Sequence, residues 1–356
     1  MRPFRDIPLA LKRLAARATW RPWTPAQTWH PPCLWSKGIS QHCDFKGSGT
    51  YWSDDTESLQ PPTFFRTNYA DAHGLVWLRL GTRSRHGLKC DLDGFVEEAL
   101  PSIRQPFILI TTDGDASVPS DFPTTTVNAL LQCPWLVSWY TQNYEGGGHA
   151  KLAPLPIGLD LHTPRFCTGP EQLFSQLQTI RSARRPLDQL PLRVFCDLET
   201  ALVSQARRQA VAALRNCDHV DFQSKRVSQY EIWRRYASYP FVVSAAGNGL
   251  DCHRTWELLY LGSIVITKKS PLDPLFEGFP VVTVDDWNEV ADKSNLAQWR
   301  QQYGGLTARE AIWSRLEAHR VLEPLRQSLA QAPHVTVASR VATRGSQNVN
   351  VPSQRS

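Results

Sequence analysis

Apolar residues in this chain fall into short unbroken runs, and the stretches between the runs carry helical spacing. From residue 75 onward the runs 75–80, Phe107–Thr112 and 135–140 read as buried strands, with a helix over 94–103 between the first two. A Gly146-Gly147-Gly148 loop follows, then a Pro-bounded apolar run at 155–158. Residues 166–190 hold no strand-type run and end in Arg184-Arg185-Pro186, which reads as a linker. The alternation then resumes. Strands are predicted at 193–196, Val220–Phe222, 241–244, 264–267 and Val281–Val284. Helices are predicted at 200–214, 229–237, 251–261, 289–302 and 307–331. Runs without polar alternation belong to parallel sheets covered on both faces. The pattern therefore predicts an α/β protein of two Rossmann-like domains facing one another across a cleft. The expected organisation is a basic segment at 1–23, a first domain at 24–165, the linker 166–190, a second domain at 191–332, and a disordered polar tail at 333–356.

Length and composition narrow the class. A chain of 356 residues suits two domains, and 42% apolar content excludes global disorder. No apolar run reaches the ~18 residues needed to cross a bilayer. The net charge of +6 is concentrated at the ends: residues 1–23 hold six basic side chains against Asp6, and 333–356 hold three with no acid. The body between them is slightly acidic, which argues against a nucleic-acid partner. Ile7, Leu11, Leu14 and Ala18 form one stripe with Arg13 and Arg17 opposite, so 7–20 reads as a short basic amphipathic helix. Such a helix suits peripheral contact with an anionic membrane, a surface helix of the fold, or an organellar transit segment. The eight cysteines include no Cys-x-x-Cys pair, so neither zinc nor a disulfide framework has spacing support. Reduced thiols in a cytoplasmic protein are expected.

The richest segment is 241–268. After its strand come Gly247-Asn248-Gly249, a turn that permits positive φ, and Asp251 as a helix N-cap. Gly262 stands where a left-handed C-terminal residue is favoured, ahead of the next strand. A glycine turn leading from a strand into a helix makes an anion site of the helix N-terminus. His253, Arg254 and Glu257 share one side of that helix, with Trp256, Leu259 and Tyr260 on another. Arginine beside the helix start suits a diphosphate, and a carboxylate one turn later suits the hydroxyls of a ribose. An Arg254–Glu257 surface ion pair on an ordinary helix is the plainer reading of the same residues.

Gly247-Asn248-Gly249, then Asp251-Cys252-His253-Arg254-Thr255-Trp256-Glu257, with Leu261-Gly262 and an apolar strand behind, resembles the nucleotide-sugar half of exostosin-like glycosyltransferases, including ribitol xylosyltransferase relatives. Weaker likeness runs through 108–115, 139–143, 149–152 and 155–159. The resemblance implies the GT-B fold, with the acceptor on the side of 24–165 and the donor on the side of 191–332. It implies that Glu257 holds the donor ribose and that the Gly247-Asn248-Gly249 turn with Arg254 faces the diphosphate, with Asp251 and His253 among the donor-binding residues. Lys225 is a further candidate for positive charge opposite the phosphates.

In the first half, Asp113 and Asp115 follow an apolar strand and should lie at a sheet's carboxyl edge. Asp113-Gly114-Asp115 reads as an ordinary Asp-Gly turn, as the source of a general base, or as the divalent-cation motif of the other glycosyltransferase architecture, GT-A. His149 is a second candidate base, and Gln142 and Asn143 are amides of the kind that bind sugar hydroxyls. The expected function is transfer of a sugar from a nucleotide sugar to a hydroxyl of a glycan or glycoconjugate, inverting and without metal. No cofactor is expected beyond the nucleotide-sugar co-substrate. Asp115 is the favoured base, with Asp113 and His149 as rivals. The alternatives are a metal-dependent GT-A enzyme and a non-catalytic glycan-binding protein.

Overall fold

A computed structural model describes residues 9–22, 24, 29–48, 50–52, 59–81 and 90–332. The first half is built on four strands, β1 (Gly74–Arg79), β2 (Phe107–Thr112), β3 (Leu136–Thr141) and β4 (Leu152–Pro154), paired in that order and all parallel. The second half has five, β5 (Val194–Cys196), β6 (Val220–Phe222), β7 (Phe241–Val243), β8 (Ile264–Lys268) and β9 (Val281–Val284). Their order is β6-β5-β7-β8-β9, again all parallel, so strand order reverses between β5 and β7. Two α/β halves with parallel sheets facing across a cleft is the architecture the residue pattern predicts.

Helices complete the layers: α1 (Leu9–Thr19), α2 (Pro62–Tyr69), α3 (Asp91–Glu98), α4 (Thr124–Gln132), α5 (Pro170–Ser182), α6 (Gln205–Leu214), α7 (Gln229–Tyr236) and α8 (His253–Leu261). They continue as α9 (Asn288–Ala291), α10 (Lys293–Tyr303), α11 (Arg309–Trp313) and α12 (Ala318–Ala330). Because side chains alternate across a strand, each sheet divides its apolar residues between two cores. Val76, Leu78, Phe107 and Leu109 pack with α2 and α3 residues on the outer face of the first sheet. Phe241, Val243, Ile264 and Ile266 do the same with α6 residues on the second. The opposite faces, with Leu75, Trp77, Ile108 and Ile110 from one sheet and Val242 and Val265 from the other, join a single shared core around Trp256 and Tyr260. Burial at ~25 cal/mol per Å² of apolar surface makes this shared layer the chief force holding the halves together.

Three features go beyond the predicted pattern. The segment 166–190 is not a bare linker: α5 lies within it and buries Leu173, Phe174, Leu177 and Ile180 in the shared core. The Pro-bounded run 155–158 lies just beyond the ladder, and the strand that pairs with β3 is β4, over Leu152–Pro154. Helix α12 packs back on the first half, where Arg326 meets Asp44 at 3.3 Å and the His42 carbonyl at 2.6 Å. The predicted tail 333–356 lies outside the described residues.

Among the described residues no helix is long and apolar enough to cross a membrane. Helix α1 is formed within the predicted 7–20 segment, and its Leu11 and Leu14 are exposed beside Lys12, Arg13 and Arg17. None of the eight cysteines is in a disulfide.

Candidate active site

The carboxyl ends of β5, β6 and β7 open into a cavity of about 390 Å³ at the point where strand order reverses. Ligands of open α/β sheets bind at such a crevice, since the two neighbouring connections leave in opposite directions there. Across it stand the carboxyl-end loops of the first sheet.

The floor is α8. Its N-cap is Cys252, not the expected Asp251, and no side chain caps it. The first-turn N–H groups and the positive end of the helix therefore face the cavity without a capping side chain. At the other end Gly262 takes φ 83°, the left-handed C-terminal conformation expected of it. Gly247 and Gly249 do not adopt the positive φ expected of the turn. They are small for a different reason: a Cβ on Gly249 would stand 2.5 Å from Asn143 Oδ1, and one on Gly247 would stand 2.7 Å from Arg207 Nη2. Both serve close approach of neighbouring side chains.

Arg254 lies along the cavity wall. Its Nε is 3.2 Å from Asp197 Oδ1, its Nη2 donates to Asp197 Oδ2 at 3.2 Å, and its Nε donates to the Tyr236 hydroxyl at 3.3 Å. Nη1 is buried and has no partner among the described residues. Burial is the largest single influence and disfavours its charge, but Asp197, Tyr236 and Cys252 together outweigh that and raise its pKa. An Arg254–Glu257 pair, the plainer sequence reading, is not formed. Glu257 is buried and accepts from Trp233 Nε1 at 3.0 Å and Gln229 Nε2 at 3.3 Å, and desolvation pushes its pKa up.

Arg207 is a cavity-lining cation that sequence reasoning missed. Ser204 caps α6 through the Arg207 N–H and donates to the Ala246 carbonyl, which brings Arg207 under the glycine turn. Its guanidinium donates to the Ala201 carbonyl at 3.1 Å and lies 3.9 Å from Cys252 Sγ. No carboxylate forms an ion pair with it among the described residues. Burial, then the nearby Arg254, lowers its pKa. A half-buried guanidinium held only by neutral acceptors is a strong attractor for an anion. Its only sequence signal is a second arginine within α6. Lys225 is exposed on the rim of the same cavity.

The first half presents a different picture. Asp113 is buried with its carboxylate 2.7 Å from Lys37 Nζ, and it holds φ 63°. Asp115 is exposed, lines the cavity, and lies 3.5 Å from Asn248 Nδ2 across the cleft. His149 is exposed, does not line the cavity, and accepts from the Lys151 N–H at 3.2 Å. The acceptor-amide expectation fails: Gln142 and Asn143 are fully buried. Gln142 accepts from the Asp113 N–H and donates to the Gly114 carbonyl, while Asn143 donates to that carbonyl and accepts from the Asp251 N–H at 2.9 Å. Their amide groups are consumed in fixing the Asp-Gly turn and joining it to the second half.

Asp251 completes that joint. Its carboxylate accepts from the Ile157 N–H at 2.7 Å and from Trp256 Nε1 at 2.8 Å, and burial raises its pKa to about 6. His253 lies next to it, with Nδ1 2.8 Å from the Gly158 carbonyl. A carbonyl only accepts, so in this contact Nδ1 carries the proton and donates it. Asp160, His162 and His253 bring one ligand atom each within 4.8 Å of one another, a set able to hold a divalent cation. Arg165 competes for that set, donating to Asp160 Oδ2 at 2.9 Å.

No family model matches the sequence, and no curated protein matches it. Solved structures with related coordinates include Anabaena HepE in complex with UDP, at 12% identity and TM-score 0.42 over 73% of this chain and 79% of that one. The E. coli trehalose-6-phosphate protein bound with UDP-2-fluoro glucose follows at 10% identity and TM-score 0.44 over 94% and 98%. A Burkholderia multivorans α,α-trehalose 6-phosphate synthase reaches 10% and 0.41 over 72% and 70%.

Proposed function

We propose that this protein transfers a sugar from a nucleoside-diphosphate sugar to a hydroxyl of a glycan or glycoconjugate, with inversion and without a metal, as an exostosin-like GT-B enzyme. The observation that carries this reading is the pair Arg207 and Arg254 at a strand-order reversal, beside a helix start that no side chain caps. Two guanidiniums and a helix dipole suit a diphosphate. Glu257, one turn along α8, is the acceptor for the ribose hydroxyls.

In the reaction the acceptor oxygen attacks C1 of the donor sugar. The acceptor's proton passes to the Asp115 carboxylate on the opposite side of the cleft. The bond from C1 to the diphosphate oxygen breaks, and its electron pair leaves on the diphosphate. Arg207, Arg254 and the α8 N-terminus receive that charge, the role a divalent cation plays in metal-dependent transferases. Among the three acidic or basic candidates in the first half, Asp115 is the one that is both unburied and at the cavity. The GT-A reading loses ground because Lys37 already neutralises Asp113. A cytoplasmic location, with α1 touching a membrane surface, belongs to the same proposal.

The test is a panel of nucleotide sugars screened for thermal stabilisation and then for nucleoside-diphosphate release in excess EDTA. Stabilisation and release by one donor are expected. Stabilisation without release by any donor or acceptor would indicate a binding protein. Loss of release in EDTA, restored by zinc or manganese and abolished in His162→Ala, would assign charge stabilisation to a metal held by the Asp160 group.

A further inference from the structure

The connection from β4 to α5 meets the first turn of α8, and three side chains with metal-ligating atoms converge there: Asp160 and His162 from the connection, His253 from the helix. One ligand atom of each lies within 4.8 Å of the others, and no other such group of three occurs among the described residues. Asp160 Oδ1 and His162 Nδ1 already stand 3.5 Å apart. Two ligands of a tetrahedral ion with bonds of roughly 2.0 to 2.1 Å are about 3.3 Å apart. The His162 and His253 rings have centroids 5.3 Å apart, so rotation of the imidazoles closes the third side.

Outer groups hold these ligands in place. His253 Nδ1 donates to the Gly158 carbonyl at 2.8 Å, and a neutral imidazole held in that way offers Nε2. His162 Nδ1 lies 3.4 Å from Ser36 Oγ. Asp160 Oδ1 accepts from the Thr163 N–H at 3.0 Å, while Arg165 Nη2 donates to Oδ2 at 2.9 Å. Arg165 thus competes for the carboxylate's charge but bonds the oxygen that His162 does not approach. Asp160 and His253 both line the cavity. Arg165 donates to Gln229 Oε1 at 3.1 Å, and Gln229 donates to Glu257, so the group is tied to Glu257 rather than to Arg207.

We infer that Asp160, His162 and His253 bind a zinc-class divalent ion that clips the β4–α5 connection to the start of α8. Two imidazoles and one carboxylate suit a borderline transition ion, whereas magnesium and calcium take oxygen ligands. The clip reinforces the joint at which Asp251 accepts from the Ile157 N–H and His253 donates to the Gly158 carbonyl. Its ligands come from distant parts of the sequence, so the ion binds the folded chain and stabilises it. It carries no step of sugar transfer, and the inference holds whether or not the cavity takes a nucleotide sugar.

The experiment is titration of the full chain, stripped with chelator and dialysed, with cobalt(II), zinc and magnesium. One equivalent of cobalt is expected to give the visible absorption of a four- or five-coordinate ion, and zinc to displace it. Zinc at about a hundredfold over its Kd should raise the unfolding temperature by about 3 °C or more, and magnesium should do neither. His162→Ala should weaken zinc binding by more than about tenfold, and His162→Gln, which keeps the size of the side chain, should do the same. Arg165→Gln removes the competing charge and should tighten it. The inference is overturned if no cobalt absorption develops, or if both His162 variants bind zinc as the wild type does. Unchanged affinity in Arg165→Gln would remove Asp160 from the site and overturn the three-ligand assignment. Nucleoside-diphosphate release that requires the bound zinc would overturn the clip role. Absence of nucleotide binding with zinc binding intact would overturn the donor reading alone.

Discussion

The carboxyl edges of the two sheets are built from similar polar residues and treat them in opposite ways. At the first sheet's edge the polar groups satisfy one another: Lys37 neutralises Asp113, and Gln142 and Asn143 clasp the Asp-Gly turn. At the second sheet's edge two arginines stand close together. One shares a single carboxylate with a tyrosine, and the other has only neutral acceptors. A polar group in a crevice signals a ligand when its bonding capacity is left open, not merely because it is polar.

The comparison can be broken most directly at Asp115, an exposed acid of the first edge that faces the cavity. Asp115→Asn should lower turnover by roughly 10² to 10⁴-fold, about 3 to 5 kcal/mol of barrier, with donor affinity unchanged. Near-normal turnover, measured by nucleoside-diphosphate release, would return the base to His149 or to residues outside the cavity. Arg254→Ala tests the second edge. It leaves Asp197 buried without its cation, so stability should fall by about 3 to 5 kcal/mol in urea unfolding, together with nucleotide affinity. A fully stable variant would mean that Tyr236 alone satisfies Asp197.

The joint between the edges is sharpened by pH. Asp251 is a carboxyl whose folded pKa, about 6, lies above its ordinary value of 3.8, so the folded state holds the proton more tightly than the unfolded chain. Its contribution is therefore fully present below about pH 4 and is lost as pH rises through 6, an effect on the order of 3 kcal/mol. The difference in unfolding free energy between wild type and Asp251→Asn should change by that amount across this window. A difference independent of pH would show that Asp251 titrates normally. The smallest expected effect is that of Arg207→Ala, which should weaken nucleoside-diphosphate binding by about ten- to a hundredfold, or 1.5 to 3 kcal/mol, with stability preserved. Calorimetric titration showing unchanged affinity would remove Arg207 from the donor site.

Periodicity carried most of the fold because parallel strands buried on both faces are unbroken apolar runs. Phe107–Thr112, Val220–Phe222 and Val281–Val284 form over the predicted residues. Helix α5 escaped because Leu173, Phe174, Leu177 and Ile180 are spaced among glutamines and serines, and its flanking prolines and arginines look like a linker. At the site, Arg254, Glu257 and Asp115 were legible because each follows a strand end within a few residues. Arg207 was not, since it reaches the cavity from the first turn of α6 only through a cap and a glycine. Gln142 and Asn143 were misread for the complementary reason: sequence shows an amide's capacity to bond and conceals that it is already spent.

Helix α12 gives the chain an order of assembly. Its Leu322 and Leu325 are buried in the same core as Leu75, Trp77, Ile108 and Ile110 of the first sheet. Those strands leave the ribosome some 200 residues earlier than α12, at a stage when synthesis ordinarily lets the leading domain fold by itself. Here the leading half has an apolar face that stays open until the trailing half and α12 have been made. The first half thus closes this face of its sheet only with residues made last, and the cleft is completed only when α12 is in place.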